Sequence, residues 1–189
     1  IKKIDEGLLP IHGAMVNIVL RNGKESNIAI MGDSGAGKSE SLEAFRTLNQ
    51  KYIKHMRVIF DDMGFLKLEN DGKIKGYGTE IGAFVRVDDL ESGYAFEQLD
   101  RGIFTNPDRI NARVTIPVST YEIISKGYEV DIMLYANNYE DAEKKIKFFD
   151  DVDQAINVFE DGARKAKGTT SEKGLVKSYF ANPFGAIQE

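Results

Sequence analysis

The chain has 189 residues, of which 42% are hydrophobic and 29% are charged, so it is not intrinsically disordered and fits one globular domain. No apolar run approaches the roughly 20 residues that a membrane-spanning helix requires, and the net charge of −5 argues against a broad basic surface for nucleic acid. The absence of cysteine excludes disulfides, thiolate metal sites and a cysteine nucleophile, and it suits a cytoplasmic location.

The first predicted elements are two strands at 14–20 and 27–31, both apolar and β-branched. An Asn-Gly turn signal at 22–23 separates them, which supports the interpretation of both runs as strands. A glycine-rich stretch follows directly, and then Leu42, Phe45, Leu48 and Tyr52 recur at helical spacing. This pattern predicts a strand, a loop and a helix that continues through about residue 53.

The middle of the chain is predicted to be rich in strands. A short strand at 57–60 ends in Asp61 and Asp62, and a hairpin turn lies around Asn70-Asp71-Gly72. Three more apolar runs are typical of strands, at 82–87, 113–118 and 128–135.

The last third is predicted to contain helices at 139–148 and 151–161, followed by an irregular tail rich in glycine and threonine at 162–189. The elements together predict a mixed, β-rich α/β fold in one domain that spans residues 1–189. Because the chain begins at Ile1 without methionine, we expect it to be a piece of a longer protein.

Residues 32–39 read GDSGAGKS and satisfy the phosphate-binding pattern G-x-x-x-x-G-K-[ST]. Between a strand and a helix, the backbone N–H groups of such a motif converge on phosphate at the helix N-terminus. Lys38 would bind the β- and γ-phosphates, and the Ser39 hydroxyl would ligate a magnesium ion. The residues predicted to bind ATP are Gly32, Asp33, Ser34, Gly35, Ala36, Gly37, Lys38, Ser39 and Glu40.

Two adjacent acids supply what a phosphate-bound metal ion further requires. Asp61 and Asp62 follow an apolar strand, where an acid can complete the metal site, and the pair allows one to ligate and the other to act as a base. The sequence leaves open which residue has which task.

An arginine is expected near the γ-phosphate, because its planar guanidinium spreads positive charge over the transferred group. Spacing alone leaves seven candidates: Arg46, Arg57, Arg86, Arg101, Arg109, Arg113 and Arg164. His12 and Glu80 are further site candidates, although a solvated surface position is the better interpretation of each taken singly.

Several segments resemble ATP-dependent phosphoenolpyruvate carboxykinases. Residues 8–39 resemble the run into that family's phosphate loop, and 78–90 resemble the Glu-Gly-Gly strand after its paired aspartates. Residues 110–123 resemble its Asn-Thr-Arg-Ala segment, which puts Arg113 at the family's substrate and phosphate arginine. Residues 165–185 resemble its Gly-Thr loop and the aromatic stretch beyond it.

The chain also resembles the bacterial HPr kinase/phosphorylase family, which is structurally related to the carboxykinases. His12-Gly13, 32–40, Asp61-Asp62 and 114–118 carry this second resemblance. Ser39-Glu40, where carboxykinases usually have Thr-Thr, and His12, where they have lysine, point toward the HPr kinases. Met63-Gly64 departs from the usual Glu-His-Gly of the carboxykinases. The tail favours the carboxykinases, because the HPr kinases have no such Gly-Thr loop.

The first resemblance implies a phosphate-loop core like the carboxykinase C-terminal domain. It implies conversion of oxaloacetate and ATP into phosphoenolpyruvate, ADP and carbon dioxide, a step of gluconeogenesis, with Mg²⁺ or Mn²⁺. Lys38, Asp62 and Arg113 would then be catalytic, and Ser39 with Asp61 or Asp62 would hold the metal. The second resemblance implies phosphorylation of a serine on a partner protein, with an aspartate as the base. A non-catalytic ATP-binding module is the third hypothesis.

Overall fold

The computed structural model is a mixed α/β structure in which strands predominate. It describes residues 2–32, 36–38, 41–42, 44–45, 51–87, 99–105, 112–139, 146–165 and 173–177. Among these residues, no helix combines the length and the apolar character needed to cross a membrane.

A six-stranded sheet forms the centre of the fold. In chain order, its strands are β1 (Leu9–Leu20), β2 (Glu25–Met31), β3 (Ile53–Leu68), β4 (Ile74–Gly78), β8 (Tyr128–Glu129) and β9 (Ile132–Tyr135). Their spatial order is β8-β4-β3-β1-β2-β9, in which only the β2–β9 pair is parallel.

A three-stranded antiparallel sheet and a short hairpin complete the strands. The small sheet has the order β5-β7-β6, and the hairpin joins β10 to β11. Their bounds are Gly82–Arg86 for β5, Ile103–Thr105 for β6, Arg113–Pro117 for β7, Ala163–Lys165 for β10 and Leu175–Lys177 for β11. The helices that are described over their whole length are α1 (Lys2–Asp5), α2 (Tyr121–Lys126) and α3 (Val152–Asp161), with a 3-10 turn at Leu99–Arg101.

The predicted strands at 14–20 and 27–31 are confirmed as parts of β1 and β2, which pair as an antiparallel hairpin. Gly23 adopts a φ of +85° at the turn, and the Asn22 side chain accepts a hydrogen bond from the Lys24 N–H at 3.1 Å. Glycine reaches this backbone region without the steric penalty that a Cβ brings, so the Asn-Gly pair ends one strand and starts the next. The predicted turn at 70–72 likewise joins β3 to β4, and the predicted strands at 82–87 and 113–118 are β5 and β7.

The central strands are buried on both faces. Alternate residues of β1 enter two apolar clusters: Ile11 and Met15 pack with Phe60, whereas Ala14, Val16 and Ile18 pack with Leu42. Leu42 belongs to the helical residues that follow the glycine-rich motif. Successive side chains of a strand point to opposite faces, so burial on both faces fixes the register of β1 against its neighbours.

Two strand predictions were wrong in extent. Ile53, the predicted end of a helix, opens β3, and β3 runs for 16 residues, so Asp61 and Asp62 lie inside a strand instead of after one. The predicted strand at 128–135 is two strands, β8 and β9, on opposite edges of the sheet. Between them the Val130 N–H donates to the Ile74 carbonyl and the Asp131 N–H donates to the Asn27 carbonyl, so this run joins both edges.

The predicted helix at 151–161 is confirmed as α3, which begins at the cap Asp151 and ends at Gly162 with a left-handed backbone. The predicted helix at 139–148 is wrong at Tyr139 and at 146–148, which have no regular structure, and 140–145 lie outside the described residues. The tail, predicted to be irregular, contains the β10–β11 hairpin. Its residues 166–172 and 178–189 lie outside the described part, as does Leu48 of the predicted first helix.

Gly64→Ala is expected to destabilise the protein by about 2 kcal/mol through overpacking. A Cβ at this position would lie 2.5 Å from the Phe60 ring and 2.7 Å from the backbone oxygen of Tyr77, and a paired strand cannot move that oxygen freely. Urea denaturation measures the loss. Gly72→Ala is the control, because its Cβ would meet nothing within 4 Å and only its positive φ of 82° opposes the change. Equal stability of the Gly64 variant and the wild type would contradict the packing argument.

Candidate phosphate-binding site

The β1–β2 hairpin brings His12 to the start of the glycine-rich motif (residues 32–39). Gly13 pairs with Met31, and one step further the Gly32 N–H donates to the His12 carbonyl at 3.3 Å. His12 therefore lies across from the residue at which β2 gives way to the motif.

Lys38 lies in the first turn of the helix after the motif. Gly37 has a φ of +104°, which favours glycine, and its carbonyl accepts a hydrogen bond from the Ser41 N–H at 2.9 Å. Lys38 is only 7% exposed. Its Nζ donates to the Gly32 carbonyl at 2.8 Å and lies 3.2 Å from His12 Nε2.

Asp62 completes this contact chain from the neighbouring strand. Its Oδ1 is 2.9 Å from His12 Nε2, the same nitrogen that faces Lys38. The register pairs Asp62 with Gly13 and His12 with Met63, so regular alternation would put Asp62 and His12 on opposite faces. Asp62 instead has a φ of +102°, which is strained for a residue with a Cβ and interrupts the alternation.

The charges around Asp62 favour its ionised form. The hydrogen bond from His12 lowers the pKa of the Asp62 carboxyl below its ordinary value of 3.8, and the charges of His12, Lys38 and Arg113 act in the same direction. Partial burial opposes them without reversing the result. Asp62 is therefore a carboxylate near neutral pH, able to accept a proton or ligate a cation.

The cluster contains two more carboxyl groups. Asp61 is buried at 4% exposure, and Glu80 is partly buried after β4. Burial raises the pKa of Glu80, and the negative charges of Asp62 and Asp61 raise it further. Three acids thus share one region with two cations, Lys38 and Arg113.

Asp62→Asn is expected to remove a pH-dependent part of the stability. Because folding lowers the Asp62 pKa, its contribution is full above the unfolded value near 3.8 and is lost as the pH falls through the folded value. Asparagine tolerates a positive φ, so the backbone is retained. We expect the difference in unfolding free energy between wild type and variant to shrink as the pH falls from about 5 to 3. A difference independent of pH, measured by urea titration, would contradict the His12–Asp62 interaction.

The residues predicted from sequence to form the site meet in part. Lys38, His12 and Asp62 are in contact, and Asp61, Glu80 and Arg113 are close enough to influence the same carboxyl groups. Gly32 and Ala36 are buried beside them. Five other residues predicted to bind ATP lie outside the described residues: Asp33, Ser34, Gly35, Ser39 and Glu40.

His12 has a more central position than its sequence context indicates. A lone histidine in a strand is more often a surface residue, yet here it lies between the motif lysine and Asp62. The position of the turn at 21–24 could have indicated this role. Counting back from the turn along two paired strands puts residue 12 opposite residue 32.

Among the described residues, no three His, Asp or Glu side chains are grouped so that they could hold a metal ion by themselves, but adjacent carboxylates would suit a metal ion that phosphate oxygens also bind. Mg²⁺ bound to a nucleotide takes one or two carboxylates together with phosphate oxygens and water, and Asp61 and Asp62 provide adjacent carboxylates. Asp62, ionised near neutral pH, has the charge state that such a ligand requires.

No protein-family model matches the chain, and no curated protein is similar to it at a significant level.

Proposed function

We propose that the chain is an ATP-dependent phosphoryl-transfer enzyme. The observation that carries this proposal is the contact of Lys38, from the glycine-rich motif, with His12 and through it with Asp62. A phosphate-binding motif next to an ionised carboxylate is the combination that phosphoryl transfer requires, namely a cation for the phosphates and an acid for the metal or the acceptor proton.

Lys38 would bind the β- and γ-phosphates. Its ammonium donates to the Gly32 carbonyl and lies beside His12, at the end of β2. A triphosphate offers the ammonium several anionic oxygens, and charge-assisted hydrogen bonds to these are stronger than a bond to a neutral carbonyl. Lys38 would then leave His12, and His12 Nε2 could donate to Asp62 alone.

Mg²⁺ held by Asp61 or Asp62, with Ser39 as the hydroxyl ligand suggested by the motif, would neutralise charge on the phosphates. Arg113 is the arginine for the transferred group, since its charge already acts on Asp62. Positioning and electrostatics supply most of the rate in this chemistry, because the protein makes no covalent bond.

Oxaloacetate is the acceptor that the carboxykinase resemblance favours. Cleavage of its carbon–carbon bond releases carbon dioxide and leaves the electron pair as an enolate. The enolate oxygen then forms a bond to the γ-phosphorus while the bond to the β–γ bridging oxygen breaks, so the products are phosphoenolpyruvate, ADP and carbon dioxide. Arg113 suits both anionic partners of this reaction.

A protein serine is the second candidate acceptor, and the His12–Asp62 contact favours it. A serine hydroxyl, unlike an enolate, must lose a proton as its oxygen attacks the γ-phosphorus. Asp62, ionised and hydrogen-bonded to a group that can itself carry a proton, is a suitable acceptor for that proton.

The test is transfer from ATP labelled in the γ-phosphate, in the presence of Mg²⁺ or Mn²⁺. Label in phosphoenolpyruvate after addition of oxaloacetate supports the first acceptor, and label on a serine of an HPr-type carrier protein supports the second. Lys38→Ala, assayed in parallel, excludes a contaminating enzyme. ATP binding without transfer to either acceptor would leave a non-catalytic nucleotide-binding module and refute the proposed enzyme.

A further inference from the structure

The parallel strands β2 and β9 end side by side at the glycine-rich motif. The Ala136 N–H, just after β9, donates to the Met31 carbonyl at the end of β2 with a length of 2.8 Å. A Cβ added to Gly32 would lie 2.9 Å from the Ala136 carbonyl oxygen. The segment after β9 is therefore packed directly against the first glycine of the motif, at the edge of parallel strands where α/β proteins bind ligands.

A cavity of about 370 Å³ opens close to this point. Its lining includes Tyr139, Lys165, Gly174 and Leu175. Tyr139 is three residues beyond Ala136, so its backbone is within about 11 Å of the motif edge. The volume falls within the range of small-molecule sites.

The two walls of this cavity are joined by hydrogen bonds. The Asn138 side chain, next to Tyr139, accepts from the Lys165 N–H at 2.7 Å. The Tyr135 hydroxyl at the end of β9 donates to the Ala163 carbonyl at the start of β10, at 3.1 Å. These bonds fix the segment after β9 to the β10–β11 hairpin, so the cavity is built from ordered backbone on both sides.

The strand order gives a bound nucleotide a direction. His12 on β1 and Asp62 on β3 lie to one side of β2, whereas β9 and the cavity lie to the other. A γ-phosphate drawn toward Lys38, His12 and Asp62 leaves the opposite end of the molecule to extend toward β9. The distance from β1 across β2 to β9 is two strand spacings, or about 10 Å. A triphosphate with its ribose is long enough to span this distance.

We propose that this cavity binds the nucleoside of the nucleotide, with the base held by Tyr139 and Leu175 and the Lys165 ammonium facing the ribose or the α-phosphate. The inference rests on the proposed function and adds the position and contacts of the base. An aromatic ring and an aliphatic side chain offer a base apolar contact that inorganic phosphates cannot use. The cation adds attraction for the phosphate nearest the nucleoside.

The experiment compares ATP with inorganic tripolyphosphate, both with Mg²⁺, by calorimetric titration of the full chain. Wild type is expected to bind ATP more tightly than tripolyphosphate. Tyr139→Ala is expected to weaken ATP binding about tenfold and to leave tripolyphosphate binding unchanged, because loss of a stacked aromatic ring affects only a ligand with a base. Leu175 is 58% exposed, so Leu175→Ala is expected to weaken ATP binding by a smaller factor than Tyr139→Ala and also to leave tripolyphosphate binding unchanged.

Tyr121→Ala is the matched control, since Tyr121 is 79% exposed on α2 and has no place in the cavity. Thermal melts establish that each variant is folded. If wild type binds both ligands equally, or if the Tyr139 variant weakens both or neither, the nucleoside lies elsewhere and this inference is overturned while the phosphate site stands. If wild type binds neither ligand, the proposed function itself fails, and the inference falls with it.

Discussion

Lys38→Ala is expected to abolish phosphoryl transfer and to weaken ATP binding. Lys38 is the cation of the glycine-rich motif, and its Nζ lies at the junction of Gly32 and His12. Removing a single donor that stabilises transition-state charge in a dry site typically reduces turnover by about 10²–10³-fold. Alanine provides no positive charge to stabilise the transferred γ-phosphoryl group, so we expect kcat to fall by at least this factor.

The fold should survive this change. Lys38 is 7% exposed, and alanine removes a buried ammonium together with its hydrogen bond to the Gly32 carbonyl, two effects of opposite sign. A thermal melt close to wild type, with turnover lost, would identify the defect as chemical. Lys126→Ala, on the exposed end of α2, controls for loss of positive charge in general. Unchanged ATP affinity and activity in the Lys38 variant would refute the phosphate-binding site.

Local patterns predicted much of the fold. The strands β1 and β2 follow from two apolar runs separated by an Asn-Gly turn signal, and the helix predicted at 151–161 is α3. These features depend on residues a few positions apart, so the sequence states them directly. The glycine-rich motif is of the same kind, because backbone freedom at Gly37 and the charge of Lys38 are properties of adjacent residues.

Long-range pairing could not be predicted in the same way. Polar Asp61 and Asp62 indicate the end of a strand, yet β3 continues through them because β1 pairs with it from Leu9 to Leu20 and supplies the backbone hydrogen bonds. The run at 128–135 divides at Val130-Asp131 because its first part pairs with β4 and its second part with β2, which lie on opposite sides of the β3–β1 pair. Tertiary pairing, and not local preference, decides both cases.

The candidate site also combines features that nearby residues predict with one that depends on the tertiary structure. The sequence identifies Lys38 and the acid pair, but the contact between His12 and Asp62 depends on a positive φ at Asp62 that reverses the expected face of its side chain. Aspartate is one of the residues that tolerate such a backbone, but nothing adjacent to it requires one. Strained backbone of this kind is found at functional sites, where the surrounding structure holds it in place.

Arg113→Ala is expected to reduce turnover by about 10³-fold or more while changing the dissociation constant of ATP only a few-fold. Arg113 opens β7, and its charge acts on Asp62, which places a guanidinium near the carboxylate that faces Lys38 through His12. An arginine that stabilises charge on a transferring phosphoryl group acts mainly in the transition state, so kcat should fall far more than affinity.

Arg113→Lys separates charge from geometry in this role. Lysine keeps the positive charge but loses the planar fork that binds two oxygens at once, so we expect it to recover only part of the activity. Arg101→Ala, at an exposed position of the 3-10 turn Leu99–Arg101, is the matched control and should leave turnover within twofold of wild type, because a surface charge that touches no site changes little. Steady-state kinetics and ATP titration of the three variants test this role of Arg113. Normal turnover with weakened ATP binding in Arg113→Ala would contradict it. Arg113 would then bind the nucleotide in the ground state and would not stabilise the transferred group.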